Sequence, residues 1–235
     1  TKVNPSELEG KKAEILEPFI KSKCEKGVDS FFIIPFFFGQ SAALKDYLPE
    51  RGKDIKSKWQ KTEIKLAPTL VKIEDKNDYC VSNIISELVL EKIEEKNLKN
   101  PHVTLVDHGT PVKEVNQVRN HISLQLTEIL NGRVAQVKAS SMERREGKEY
   151  EFNEPLLENL LGQNDFIQDV VLAMLFISPG RHAGTGGDID KICQSAESKC
   201  NTLRTFKSKL FAMHPKVIDL LASRYKEGLE SFPIV

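Results

Sequence analysis

Hydrophobic and polar positions follow two different spacings along the chain. Apolar residues run almost without interruption through "SFFIIPFFF", "VTLVD" and "DVVLAMLFI", the pattern of strands that are buried on both faces. Between these runs, in segments such as "VSNIISELVLEKIEEKN", apolar residues recur every three or four positions, which predicts amphipathic helices. The alternation of the two patterns predicts an α/β fold with parallel sheets flanked by helices on both faces.

The boundaries of these elements can be placed from the same pattern. Gly39 ends the run "SFFIIPFFF", and Pro49 is expected to interrupt any helix after it. An acidic and polar loop is expected near 74–78. The pattern predicts strands at 30–38, 63–67, 103–107, 134–139 and 169–177, an extended stretch at 203–211, and helices at 5–26, 81–97, 112–130, 153–161, 187–200 and 215–229.

Two stretches of the chain repeat the same order of features, with Gly39 set against Gly180 and Ser41 against His182. The second copy carries a strand, a helix and a strand at 103–139 that the first copy lacks. The repeat predicts an N-terminal lobe at 1–99 without its opening β-α-β portion and a C-terminal lobe at 100–235. Either the sequence is a shortened form of a longer protein or the first lobe has decayed.

Composition restricts the class of protein. Thirty-four basic residues balance thirty-four acidic ones, so no overall field attracts nucleic acid, and we expect no nucleic-acid partner. No apolar run approaches the roughly 20 residues of a membrane span, so we expect a soluble protein. The four cysteines include no CxxC pair. They are interpreted as structural or incidental thiols of a reducing compartment, such as the cytoplasm or the plastid stroma.

Two loops hold the candidate chemistry. "DHGTP" follows the strand at 103–107, and "SPGRHAGTGGDID" follows the strand at 169–177. Ligands of open parallel sheets bind at the carboxyl ends of the strands, so His108 and His182 are expected to face one another there. Neutral imidazole binds iron, cobalt, nickel and zinc, which makes a metal site one interpretation and a pair of structural histidines the other.

A charged segment after the strand at 134–139 is the third candidate. Glu143 is placed to reach the same region, and Arg144 and Arg145 can bind carboxylates through paired hydrogen bonds, although a solvated charge run explains them equally well. "GTGGD" matches neither a Rossmann fingerprint nor a P-loop. Its glycines are interpreted as backbone room for a bulky ligand, with Asp188 expected to cap the next helix.

Three motifs together resemble one family. "DHGTPVKEVNQVR", "SMERREGKEYEFNEPLLENLL" and "FISPGRHAGTGGDI", with "PFFFGQSAALKDYLPE" upstream, are similar to the sirohydrochlorin chelatases, the class II metal-inserting enzymes of cobalamin and siroheme synthesis. The likeness runs through nearly the whole chain in the order of the long, two-domain form. It implies two similar α/β lobes with a tetrapyrrole in the cleft between them.

The resemblance also implies the roles of individual residues. His108 and His182 match the metal-binding and catalytic histidines, and Glu143 matches an acidic catalytic residue of the cleft. Ser41 stands where the second lobe has His182, so one lobe is expected to bind the metal. The positions that would bind the substrate are Gly39, Gln40, Ser41, Gly109, Thr110, Arg119, Arg144, Arg145, Ser178, Gly180 and Arg181.

The expected activity is insertion of Co²⁺ or Fe²⁺ into sirohydrochlorin, in cobalamin or siroheme synthesis, without an organic cofactor. Metal entry must remove water from the ion and two protons from the ring, and histidine and carboxylate side chains can do both. The partners would be a sirohydrochlorin-type tetrapyrrole and a divalent metal ion. A non-catalytic carrier of tetrapyrrole or metal, derived from a chelatase, is the alternative.

Overall fold

The computed structural model describes residues 14–163, 165–231 and 233–234. Its helices and strands alternate along the chain, as the hydrophobic pattern predicts. The helices are α1 (Leu16–Cys24), α2 (Leu48–Lys58), α3 (Cys80–Lys96), α4 (Lys113–Ile129), α5 (Leu157–Leu160), α6 (Asp188–Lys199) and α7 (Lys216–Leu229). The strands are β1 (Ser30–Ile33), β2 (Glu63–Leu66), β3 (His102–Asp107), β4 (Gln136–Ser141), β5 (Asp169–Met174) and β6 (Arg204–Lys207).

The strands form two sheets, and every pairing is parallel. One sheet has four strands in the order β4-β3-β5-β6, and the other pairs β1 with β2. Parallel pairing confirms the prediction from the uninterrupted apolar runs. It also brings the carboxyl ends of β3, β4 and β5 to one edge of the larger sheet.

Helices cover both faces of the four-stranded sheet. Leu105 and Val106 are adjacent on β3 and both fully buried, and because side chains alternate along a strand they point to opposite faces. Val106 belongs to an apolar cluster with Leu157 of α5 and Ile189 of α6. On the other face α3 and α4 pack against the sheet and against each other. The predicted α/β class with flanking helices is therefore confirmed.

The chain divides into two compact units. Of the described residues, one unit comprises those within 14–36, 40–68 and 224–234, and the other comprises those within 37–39 and 69–223. The predicted boundary at residue 99 does not coincide with this division, since α3 packs in the second unit and the last turns of α7 pack in the first. In the first unit the Phe32 and Tyr225 rings lie 5.0 Å apart, edge to face. The assignment of 1–99 and 100–235 to two related lobes stays a prediction.

Three predicted elements differ from the structure because of proline. The strand predicted at 30–38 ends at Ile33, two residues before Pro35, which has no N–H for a ladder. The helix predicted at 153–161 is only the single turn α5, with a 3₁₀ turn at Lys148–Asn153 before it and Pro155 between them. Pro49 does not interrupt its helix, because it lies in the first turn of α2, where a missing N–H costs nothing.

The other elements lie within a few residues of their predicted positions. A π-helical turn, Ala43–Tyr47, leads into α2. The helix predicted at 5–26 is described only in part, as α1, and residues 5–13 of that prediction lie outside the described residues. In the first unit, Ile20 of α1, Ile55 of α2 and Ile64 of β2 form a common buried cluster.

Candidate functional site

The loops that follow β3 and β4 run together at the carboxyl edge of the sheet. The backbone N–H of Met142 donates to the carbonyl of Asp107 at 2.8 Å, and that of Glu143 donates to the carbonyl of His108 at 3.2 Å. These bonds extend the pairing of β3 with β4 by two residues beyond the strand ends. They place His108 and Glu143 side by side.

Gly109 permits this close approach. Its φ is +91°, and an added Cβ would lie 1.8 Å from the carbonyl oxygen of Glu143, well inside the van der Waals limit. A residue with a side chain would also be strained at that φ. The glycine of "DHGTP" is therefore required by the contact between the two loops.

The two histidines predicted to face each other are in contact. The ring centroids of His108 and His182 are 4.6 Å apart, with the rings inclined at 75°. The side chain of His108 is 48% exposed and that of His182 is 31% exposed. A Glu143 carboxylate oxygen lies 3.5 Å from Nε2 of His108. Two imidazoles and one carboxylate thus meet at a surface that a ligand can reach.

His182 is hydrogen-bonded to Asp188, the residue that the sequence predicts as a helix cap. Nδ1 of His182 lies 2.8 Å from Oδ2 of Asp188. The sequence predicts that Asp188 caps α6. The structure differs, because Gly187 occupies the cap position and Asp188 is the first residue of the helix. The hydrogen bond from His182, followed by the bond from Lys191, lowers the pKa of Asp188. The spacing of six residues between His182 and Asp188 was the available signal for this pair.

The glycines around His182 set the path of its loop. The N–H of Gly184 donates to the carbonyl of Gly180 at 2.9 Å, and that of Ile189 donates to the carbonyl of His182 at 3.2 Å. A Cβ on Gly187 would lie 2.6 Å from the carbonyl oxygens of both Arg181 and His182. The absence of a side chain at Gly187 therefore lets the loop pack against its own backbone. The sequence analysis instead predicted that the glycines leave space for a bulky ligand.

A buried polar network lies beneath His108. Asp107 accepts hydrogen bonds from the Ser141 hydroxyl at 2.6 Å and from the Gly109 N–H at 3.1 Å, and an Arg119 nitrogen lies 4.0 Å away. Burial raises the pKa of Asp107, and the Ser141 bond and the Arg119 charge only partly offset it. This network anchors the residue immediately before His108. Sequence reasoning missed it because its members are far apart in the chain.

Arg119 belongs to this support and not to a ligand-binding surface. It is 2% exposed, and its five N–H groups donate to Asn120, Ser141, Phe152 and Asn153. Burial lowers its pKa, and the Asp107 charge opposes that effect. No donor remains for a substrate carboxylate, so the predicted substrate-binding role of Arg119 is corrected to a structural one.

Comparisons with known proteins identify the architecture. No family model matches the chain, and no curated protein sequence matches it. Among solved structures, SirB from Bacillus subtilis with Fe³⁺ gives a TM-score of 0.68 at 15% identity over 95% of this chain and 82% of that one. The chain has the fold of the sirohydrochlorin chelatases. The resemblance inferred from the sequence motifs is thereby confirmed as a structural one.

Two further structures support the chelatase fold. The sirohydrochlorin chelatase SirB from Bacillus subtilis subspecies spizizenii, in complex with cobalt, gives a TM-score of 0.64 at 14% identity, covering 96% of this chain and 82% of that one. CbiX, described as the terminal enzyme of siroheme biosynthesis in denitrifying bacteria, gives 0.57 at 15% identity, covering 85% and 76%. At these identities the likeness concerns the fold, and the chemistry must be argued from this chain's own residues.

The remaining arginines of the chelatase-fold site differ in their availability. Arg144 donates from Nε to Glu154 at 2.7 Å and from a terminal nitrogen to the Gly147 carbonyl at 3.1 Å. Burial raises the pKa of Glu154, but the hydrogen bonds from Arg144 and the Leu156 N–H and the Arg144 charge together outweigh burial, so the pKa is lowered. Arg145 lies over the Tyr150 ring at 6.0 Å, and Arg181 is 85% exposed. Arg145 and Arg181 are the arginines able to meet a ligand.

The other predicted substrate positions fall into two groups. Thr110, Ser178 and Gly180 lie on the same two loops as the histidines, with Ser178 and Gly180 exposed. Gly39 is buried in the second unit, and a Cβ there would lie 2.4 Å from Cγ2 of Val118, so it serves close packing against α4. Gln40 and Ser41 belong to the first unit, and their roles stay predictions.

The histidine cluster supplies ligands of the kind that first-row divalent metals bind. Within the ranges that the structure describes, no group of three or more His, Cys, Asp and Glu side chains is arranged to hold a metal ion.

All four cysteines are free thiols, and burial raises the pKa of Cys193 to about 11. No helix in the described part of the chain is long and apolar enough to cross a membrane.

Proposed function

We propose that this protein is a chelatase that inserts a divalent metal, Co²⁺ or Fe²⁺, into sirohydrochlorin or a closely related tetrapyrrole. The observation that carries the proposal is the contact between His108 and His182, with ring centroids 4.6 Å apart at the carboxyl edge of the parallel sheet. The chelatase fold supports it, since known structures of that fold include SirB with Fe³⁺ and with cobalt.

In this proposal the two imidazoles hold the incoming ion as a substrate. Imidazole nitrogen binds cobalt and iron, and partial exposure of both rings lets the ion arrive and leave. Ligand exchange on the ion replaces bound water by the pyrrole nitrogens of the ring. No organic cofactor is needed, because the reaction exchanges two protons for a metal ion and transfers no electrons.

Proton removal requires a base beside the metal. Glu143 has a carboxylate oxygen 3.5 Å from Nε2 of His108 and is 59% exposed, so it can accept a pyrrole proton and pass it to solvent. Arg145 and Arg181 are placed on the flanking loops, where their guanidinium groups can pair with the carboxylates of the ring. These roles are assigned by the chemistry that each side chain allows.

The test is anaerobic absorbance of the purified protein mixed with sirohydrochlorin and then with Co²⁺ or Fe²⁺. We expect the spectrum of the metallated ring to appear faster than without protein, and the ratio of the two rates ranks the metals. His108→Ala and His182→Ala should each abolish the acceleration while circular dichroism shows the native helix content.

His102→Ala is the matched control. His102 lies at the opposite end of β3 from His108, about 20 Å away at 3.3 Å per residue, and should leave the rate unchanged. Equal loss of rate in His102→Ala would contradict the assignment. Ring binding without any acceleration by the wild-type protein would identify a tetrapyrrole carrier instead of an enzyme.

A further inference from the structure

The two imidazoles of the site are held through the same ring nitrogen. Nδ1 of His182 lies 2.8 Å from Oδ2 of Asp188, and Nδ1 of His108 lies 3.0 Å from the carbonyl oxygen of Gly109. An ionised carboxylate and a carbonyl oxygen only accept hydrogen bonds. Nδ1 of His182 therefore donates to Asp188, and in a neutral ring the lone pair is then on Nε2. In His108 both ring nitrogens face acceptors, because a Glu143 carboxylate oxygen lies 3.5 Å from Nε2.

The two partners differ in how they can be tested. The partner of His108 is a backbone carbonyl, which no substitution removes. The partner of His182 is the side chain of Asp188, which Lys191 approaches on Oδ1 at 3.3 Å and Arg181 approaches on Oδ2 at 3.7 Å. Both cations thus lie beside the carboxylate that contacts the ring. The side chain of Asp188 is 28% exposed.

We propose that Asp188 is a positioning residue that fixes His182 with its proton on Nδ1, so that Nε2 is free to bind the metal ion. A carboxylate in this position also makes the imidazole a stronger ligand. The link to the metal rests on the proposed chelatase function. The tautomer itself is a property of the metal-free protein and does not depend on that function.

The first measurement is long-range ¹H–¹⁵N NMR of the ¹⁵N-labelled protein without metal or tetrapyrrole. The spectrum reports which ring nitrogen of each histidine carries the proton, and the chain has only five histidines. Loss of one pattern in His182→Ala assigns that residue. We expect His182 to show the Nδ1–H pattern in the wild type and to lose it in Asp188→Ala.

The second measurement is titration of the same proteins with Co²⁺ alone. Removing an outer partner of a metal-binding histidine typically weakens metal affinity about 10-fold to 100-fold. We expect a loss of this size in Asp188→Ala. If that variant fails to fold, Asp188→Asn keeps the size of the side chain, and its uncharged amide no longer requires the proton to be on Nδ1.

Asp190→Ala is the matched control, because it removes a carboxylate from the same turn of α6 that contacts Gly186 N–H and Lys207 and not His182. It should leave both the His182 tautomer and the Co²⁺ affinity unchanged.

An Nε2–H pattern for His182 in the wild type would overturn the proposal, as would a tautomer that stays the same in both Asp188 variants. An altered tautomer with unchanged Co²⁺ affinity would overturn the link to the metal. A protein that binds Co²⁺ as expected but inserts no metal would refute the chelatase proposal alone.

Discussion

Gly109 decides whether His108 and Glu143 can be neighbours. The backbone bond between these two residues requires the loop after β3 to pass within van der Waals contact of the loop after β4. Only a residue without Cβ fits there, and its φ of +91° is unfavourable for other residues. A single residue with no reactive group thus controls the relative position of two candidate catalytic side chains.

Gly109→Ala is expected to destabilise the protein more than Gly132→Ala. Both glycines have positive φ, +91° and +73°, so both variants pay about 1–2 kcal/mol for the left-handed backbone. A Cβ on Gly132 meets nothing within 4 Å, whereas on Gly109 it overlaps the Glu143 carbonyl, which adds about 1–3 kcal/mol. Urea unfolding of both variants measures the difference. Equal losses would show that the loops can separate without cost.

At the scale of elements, the 3₁₀ turn Lys148–Asn153 supports the loop that carries His108. The Asn153 amide accepts a hydrogen bond from the Thr110 N–H at 3.0 Å and donates to the Thr110 carbonyl at 2.9 Å and to that of Tyr150 at 3.1 Å. Asn153 is fully buried, so its own side-chain amide is shielded from water. The turn therefore holds Thr110, which lies two residues after His108 in the connection to α4.

Asn153→Ala should lower the free energy of unfolding by about 1–3 kcal/mol, because it leaves partly buried backbone groups of Thr110 and Tyr150 without the Asn153 side chain as a partner. It should also slow metal insertion, since the His108 loop loses its support. Asn131→Ala, at an exposed position after α4, is the control and should change neither quantity. Equilibrium urea unfolding and the absorbance assay supply the two measurements, and an Asn153 variant with wild-type stability would contradict the role of the turn.

At the scale of the whole molecule, the two sheets differ in how completely their strands are paired. β3 and β5 each have a strand neighbour on both sides and are buried, whereas β1 and β2 pair as a two-stranded sheet with partly exposed residues. Opening a central strand breaks two ladders together with the surrounding core. The candidate site is thus attached to the most extensively paired strands of the described chain.

Hydrogen exchange should reflect this difference. Backbone amides of β3 and β5 are expected to exchange at least 10-fold more slowly than those of β1 and β2, because their opening requires a larger part of the structure to unfold. Exchange followed by mass spectrometry of peptic peptides resolves these strands. Comparable protection in both sheets would mean that the second unit unfolds as easily as the first.

The sequence alone determined the α/β class, the parallel strands and the proximity of His108 to His182. Each of these depends on local signals: uninterrupted apolar runs define buried strands, and carboxyl ends of parallel strands share one edge. Motif similarity added the chelatase fold, which the structural comparisons confirmed. The chemistry of metal insertion remains a proposal that the assays above can test.

Only the tertiary structure decided which polar side chains support the site and which face a ligand. Arg119 and Arg145 look alike in the sequence, yet one is enclosed by carbonyl oxygens and the other is exposed. Asp188 looks like a helix cap and instead binds His182, because the glycine-rich loop folds back onto α6. Ser141, Phe152 and Asn153 reach Arg119 from distant positions in the chain, and no local pattern encodes such contacts. His182 and Asp188 are only six residues apart, but their contact depends on the path that the loop takes in the folded chain.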